Sequence, residues 1–161
     1  MVVPVGTLTV ALTPAEVVVS ALNTASGLPR YRMLYISGDR SAVLSGVRRP
    51  STNLDIQCAH TPHQLRSILQ EARHPFILVE HDPAFYEQDR SIIVPVAMAM
   101  REASRTAAVL YCAAGQDAAV RVFMKLADRV FHLELEYPQR QQIPAFRKRA
   151  PSSRQTTLNA G

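Results

Sequence analysis

Leu8-Thr9-Val10-Ala11-Leu12-Thr13-Pro14-Ala15-Glu16 is the stretch that decides the fold. Leu8–Leu12 is nearly continuous in apolar residues and short, as a strand covered on both faces of a parallel sheet would be. Thr13-Pro14-Ala15-Glu16 then predicts an immediate helix start. Threonine caps free N–H groups, proline suits the first helical position, and glutamate reaches back to the cap. Thr61-Pro62-His63-Gln64 repeats the signature, T-P-x-[EQ], and predicts a second helix start.

Further candidate strands are Met33–Ser37, Leu54–Cys58, Phe76–Glu80, Ala107–Ala113 and Arg129–Leu135. Between them lie candidate helices over Pro14–Ala25, Pro62–Ala72, Ile92–Ser104 and Asp117–Ala127. This alternation predicts an α/β protein, a three-layer sandwich with a mostly parallel sheet and helices on both faces. Ser41–Leu44 reads as a short helix and Arg48–Asn53 as an exposed loop. No internal repeat is visible.

The chain has 161 residues, 47% of them hydrophobic and 19% charged, which suits one domain with a real core and excludes a disordered chain. Of 18 Lys and Arg, five fall after residue 136: Arg140, Arg147, Lys148, Arg149 and Arg154. No acid accompanies them, so residues 1–136 hold 13 charges of each sign. The net charge of +5 therefore belongs to the tail, and a uniformly basic, nucleic-acid-coating body is excluded. The domain is expected over 1–136. Residues 137–161, rich in Pro, Gln and Ser, are expected to be a basic disordered tail.

Cys58 and Cys112 sit in apolar runs and read as buried free thiols of an intracellular protein, in the cytoplasm or nucleus. His60 stands alone near Cys58, so no zinc spacing is recognised and no metal or cofactor is expected. No apolar run reaches the roughly 18 residues of a membrane span, so no membrane partner is expected.

The ordered pieces resemble the RecA/KaiC-like branch of the P-loop ATPases over about Gly6–Glu136. Gly6–Leu12 resembles the strand that feeds the phosphate loop, and Leu34–Ser37 the second core strand. Phe76–Glu80 resembles the Walker B strand, and Val109–Cys112 the strand after it. Ala127-Asp128-Arg129-Val130-Phe131-His132-Leu133 resembles the recurrent "A-D-x-V-x-x-L" final strand. The resemblance implies a RecA-like sheet. In it, Glu80 would match the magnesium-orienting acid and Asp39 the acid after the second strand.

A phosphate loop needs G-x-x-x-x-G-K-[ST]. Here Leu12-Thr13-Pro14 leads straight into a helix, and the two lysines, Lys125 and Lys148, lie elsewhere. Pro14 removes an N–H donor, and Glu16 puts negative charge where a phosphate must sit. Thr13, Glu16, Asp39 and Glu80 are thus read as positions of a degenerate nucleotide site, with Asp39 and Glu80 serving as polar strand ends.

Other chemistry is weaker. Glu80-His81-Asp82 at a strand end points to alternating faces and does not converge. None of Ser37, Ser41 and Ser45 sits in a nucleophile elbow. His132 reads as a core or edge histidine. Phe85-Tyr86-Glu87-Gln88-Asp89-Arg90 reads as a packing or subunit contact rather than a base-stacking loop. Gln155 and Leu158 resemble the first half of a sliding-clamp box, but the chain lacks its two aromatic anchors.

The expectation is a non-catalytic RecA-like accessory or assembly protein acting in DNA recombination, repair or replication. It would work beside a RecA-family paralog or another subunit, with the tail contacting DNA or an acidic partner. The alternatives are a pseudo-ATPase subunit of an assembly unrelated to DNA repair, as in Elongator, and an enzyme with a noncanonical ligand at the sheet edge.

Overall fold

Met33 lies opposite both Leu54 and Phe76, and Leu8 opposite Val109, in pairings that are parallel without exception. A computed structural model describes residues 3–24, 31–48 and 53–134. Its strands are β1 (Leu8–Leu12), β2 (Met33–Ser37), β3 (Leu54–Cys58), β4 (Phe76–Glu80), β5 (Ala108–Ala113) and β6 (Arg129–His132). They form one six-stranded sheet in the order β3-β2-β4-β5-β1-β6. The fold is α/β with an all-parallel sheet, where the sequence predicted a mostly parallel one.

The helices are α1 (Ala15–Thr24), α2 (Pro62–Glu71), α3 (Ile93–Ala103) and α4 (Ala118–Leu126). Right-handed crossovers that travel in opposite directions along a sheet lie on opposite faces. The chain steps one way from β1 through β2 to β3, then the other way from β3 through β4 and β5 to β6. Thus α1 and the 3₁₀ turn Leu44–Gly46 cover one face, and α2, α3 and α4 cover the other. The predicted short helix at Ser41–Leu44 is this turn, shifted towards Gly46.

The core follows the period of two along the strands. Leu8, Val10, Leu34, Ile36, Ile77, Val79, Val109 and Tyr111 pack under α2–α4 with Leu65, Leu69, Val96, Met100, Val120 and Phe123. Ala11, Met33, Tyr35, Leu78, Leu110 and Cys112 pack on the opposite face with Val18 of α1 and Val43. The edge strands β3 and β6 are largely exposed, so the prediction that strands are covered on both faces holds only for the inner four.

Asp128, in the "A-D-x-V-x-x-L" stretch, has a structural role. Its Oδ2 accepts the Leu8 N–H at 2.8 Å and an Arg101 N–H at 2.5 Å, tying the starts of β1 and β6 to α3. Arg101 and the Leu8 N–H hold this carboxyl below its ordinary value. Among the described residues no helix is long and apolar enough to cross a membrane.

Candidate functional site

Parallel strands end together, and open α/β sheets bind ligands beyond those carboxyl ends. Here that edge carries Thr13 after β1, Gly38–Gly46 after β2, Ala59–Thr61 after β3, His81–Asp89 after β4 and Ala114–Asp117 after β5.

Thr61 caps α2. Its Oγ1 accepts the Gln64 N–H at 3.1 Å, while Gln64 Oε1 accepts the His60 N–H at 2.7 Å, one residue before the cap. Thr13 departs from this pattern. Helix α1 begins at Ala15, and Thr13 Oγ1 donates to the Pro14 carbonyl at 3.3 Å. The reason is the sheet. The Thr13 N–H donates to the Ala113 carbonyl at 2.8 Å, so Thr13 still belongs to the β1–β5 ladder and is 4% exposed. Glu16 is exposed in the first turn of α1.

The Glu80 carboxylate is heavily engaged. It accepts from the Tyr35 and Ser41 hydroxyls and from the Ala42 and Val43 N–H groups, the last two at 3.1 and 3.4 Å. Ser41 Oγ also accepts the Leu44 N–H at 2.9 Å. Glu80 therefore fastens the 41–44 turn to the sheet edge. Burial, reinforced by Glu80, pushes the Tyr35 phenol well above its ordinary pKa.

Asp39 goes elsewhere. It pairs with His60 Nδ1, and Cys58 Sγ donates to Asp39 Oδ1 at 3.6 Å. Asp39 and Glu80 share no hydrogen-bond partner among the described residues. The two acids named by the resemblance are thus engaged by different partners.

Cys58 corrects the sequence reading. It is exposed, whereas Cys112 is buried as expected. The difference is strand position, since β3 is an edge and β5 is central. Burial, with Glu80 nearby, raises the Cys112 thiol to about 12. Partial desolvation and the Asp39 carboxylate push the Cys58 thiol up as well, the reverse of an activated nucleophile.

Glu80, His81 and Asp82 go to three separate partner sets. His81, with its side chain 5% exposed, lies 2.5 Å from the Tyr111 hydroxyl at Nδ1 and 2.6 Å from Asp117 Oδ2 at Nε2. A carboxylate at Nε2 places a proton on that nitrogen. Asp117 also caps α4 by accepting the Val120 N–H at 2.9 Å. Tyr86 stacks on His81 at 5.8 Å and meets Phe123 edge-on, so this residue of the Phe85–Arg90 segment is used in packing, while Glu87–Arg90 are exposed. Sequence reasoning missed this group. The signal it passed over was Asp117 directly before an apolar helix, a capping residue with a second oxygen to spare.

Asp82 caps the turn Pro83–Tyr86 through the Ala84 N–H at 3.0 Å. His132 is exposed on β6. Arg140, Arg147, Lys148, Arg149, Arg154, Gln155 and Leu158 lie outside the described residues.

No protein-family model matches the sequence. The chain is similar to an uncharacterized protein of Archaeoglobus fulgidus, 32% identical over 124 residues. The match takes in 76% of this chain and 63% of the relative, so the chain spans less than two-thirds of that protein's length.

Proposed function

We propose that this protein is a non-catalytic, RecA-like accessory subunit, a P-loop ATPase fold kept for binding a partner. The setting we infer is DNA recombination, repair or replication, with the basic tail adding contacts to DNA or to an acidic partner.

One observation carries the non-catalytic reading: Thr13 and Glu80, two of the four positions of the degenerate nucleotide site, are already engaged by the protein itself. Thr13 bonds into the sheet and to Pro14, and Glu80 is taken up by Tyr35, Ser41, Ala42 and Val43. A phosphate needs free N–H groups and a cation, and a magnesium-bound phosphate needs an acid with a free oxygen. At Thr13 and Glu80 neither is spare. The resemblance is further supported by its strands all belonging to one parallel sheet, with β5 between the Glu80 strand and the first strand.

Calorimetric titration with Mg-ATP, paired with a phosphate-release assay, tests the non-catalytic half. The expected result is neither heat of binding nor turnover. Micromolar binding, or turnover that disappears in Glu80→Gln, overturns it. Co-purification from native cells tests the other half. A recombinase, clamp or replication subunit among the partners supports the setting, and an unrelated assembly favours the Elongator-like alternative.

A further inference from the structure

The β2–β3 register brings Asp39 to Cys58 and His60, two metal-binding side chains that lie two residues apart in the sequence. Ser37 lies opposite Cys58, and the Ala59 N–H donates to the Ser37 carbonyl at 2.8 Å. Carrying the parallel register two residues onward sets Asp39 beside His60. Side chains two apart on an extended chain share a side, so Cys58 and His60 meet Asp39 together. One carboxylate oxygen, one thiol sulfur and one imidazole nitrogen lie within 4.8 Å of one another.

We propose that Asp39, Cys58 and His60 form a zinc-binding site with three protein ligands and an open fourth position. The donor set selects the metal. Thiolate and imidazole favour a borderline-soft ion over magnesium or calcium, and zinc takes S, N and O ligands together. The spacing also fits. Tetrahedral zinc with bonds of about 2.0 Å to O and about 2.3 Å to S puts those two ligand atoms roughly 3.5 Å apart. Asp39 Oδ1 and Cys58 Sγ are 3.6 Å apart. Asp39 and His60, now in direct contact, need to open to about 3.3 Å. Their side chains are 60% and 64% exposed and free to turn, and that exposure leaves the fourth position to water or an incoming ligand.

The surroundings favour a cation. Asp82 Oδ2 lies only 2.1 Å from where a Cβ on Gly38 would stand, so a second carboxylate packs against the residue that precedes Asp39. Only glycine at 38 gives it that room. The alternative of a cysteine nucleophile fits less well, because Cys58 donates to the Asp39 carboxylate and the Gly38 carbonyl rather than to an imidazole. The site stands whether or not the RecA-like reading does.

Titration of the reduced full-length protein with Co²⁺, followed by displacement with Zn²⁺, tests the site. The expected result is one cobalt per chain. Its near-ultraviolet thiolate charge-transfer band should vanish when one equivalent of zinc is added. Cys58→Ser should remove the band, and Cys112→Ser should leave it intact. His60→Ala should weaken zinc binding by about a hundredfold or more, beyond what loss of an outer-sphere partner costs. Circular dichroism checks that the variants stay folded, as the exposure of both side chains predicts. The proposal is overturned if wild type shows no such band, if the band survives in Cys58→Ser, or if His60→Ala binds zinc as tightly as wild type.

Discussion

His81 Nε2 lies 2.6 Å from Asp117 Oδ2, joining the end of β4 to the first turn of α4. Desolvation alone would raise the Asp117 carboxyl, but the Val120 N–H and His81 outweigh it and hold it below its ordinary value. A depressed folded-state pKa adds stability that is fully present above the unfolded value of about 4 and is lost as pH falls through the folded value. Asn at 117 can still cap and still accept from His81, yet does not titrate. Urea unfolding between about pH 5 and pH 2 should therefore show a shallower acid loss in Asp117→Asn than in wild type. Asp117→Ala removes both contacts and should lose about 2–4 kcal/mol at neutral pH. Parallel pH profiles for wild type and Asp117→Asn would remove the pair from the stability account.

Gly38→Ala should destabilise through a neighbour rather than through its own backbone, because Gly38 has no positive φ. The new methyl would stand 2.1 Å from Asp82 Oδ2 and 2.9 Å from its Cγ. Asp82 must then rotate and release the Ala84 N–H that it holds at 3.0 Å. We expect a loss of about 1–3 kcal/mol, in the range of overpacking. Asp82→Ala should relieve the clash, so the double variant should be more stable than the sum of the singles by about 0.5–3 kcal/mol. Strict additivity in chemical denaturation would show that the two residues do not meet.

The two T-P-x-[EQ] sites should respond differently to one isosteric change. Thr61→Val removes the acceptor of the Gln64 N–H and should cost about 0.5–2 kcal/mol. Thr13→Val removes only a 3.3 Å bond to the Pro14 carbonyl from a buried side chain. It should shift stability by no more than about 1 kcal/mol in either direction. Equal losses in thermal melts of the two variants would mean that Thr13 caps α1 after all.

These sites also show what a sequence can and cannot disclose. Apolar runs and their spacing locate every strand among the described residues, and most boundaries agree within a residue or two. The apolar run includes Ala107 whereas the strand begins at Ala108, and the last strand ends at His132 rather than Leu135. Strand order was not legible, because it is set by which crossovers reverse direction and not by any local pattern. That explains both misreadings at the site. Cys58 reads as a core residue because an apolar run does not reveal that β3 is an edge. The Asp39–Cys58–His60 group was invisible because it depends on the β2–β3 register, fixed across an intervening loop. Likewise, T-P-x-E cannot show that Thr13 is still bonded to β5.

DNA affinity, if the accessory reading holds, should reside in the tail. Residues 137–161 carry five basic side chains and no acid, while the preceding 136 residues balance at 13 against 13. Without a net charge the body has little long-range pull on a polyanion, whereas each phosphate neutralised by the tail releases counterions. Five such contacts on duplex DNA give a slope of about −4 to −5 for the logarithm of affinity against that of salt concentration, and fewer contacts give less. Replacing Arg140, Arg147, Lys148, Arg149 and Arg154 with Gln in the full chain should flatten that slope and abolish most binding, leaving the melting temperature nearly unchanged. Fluorescence anisotropy across a salt series makes the comparison. If the variant binds as tightly as wild type, the site is on the body, and Arg48 and Arg90, both exposed, become the residues to replace. If neither protein binds at low salt, the role is directed at protein partners alone.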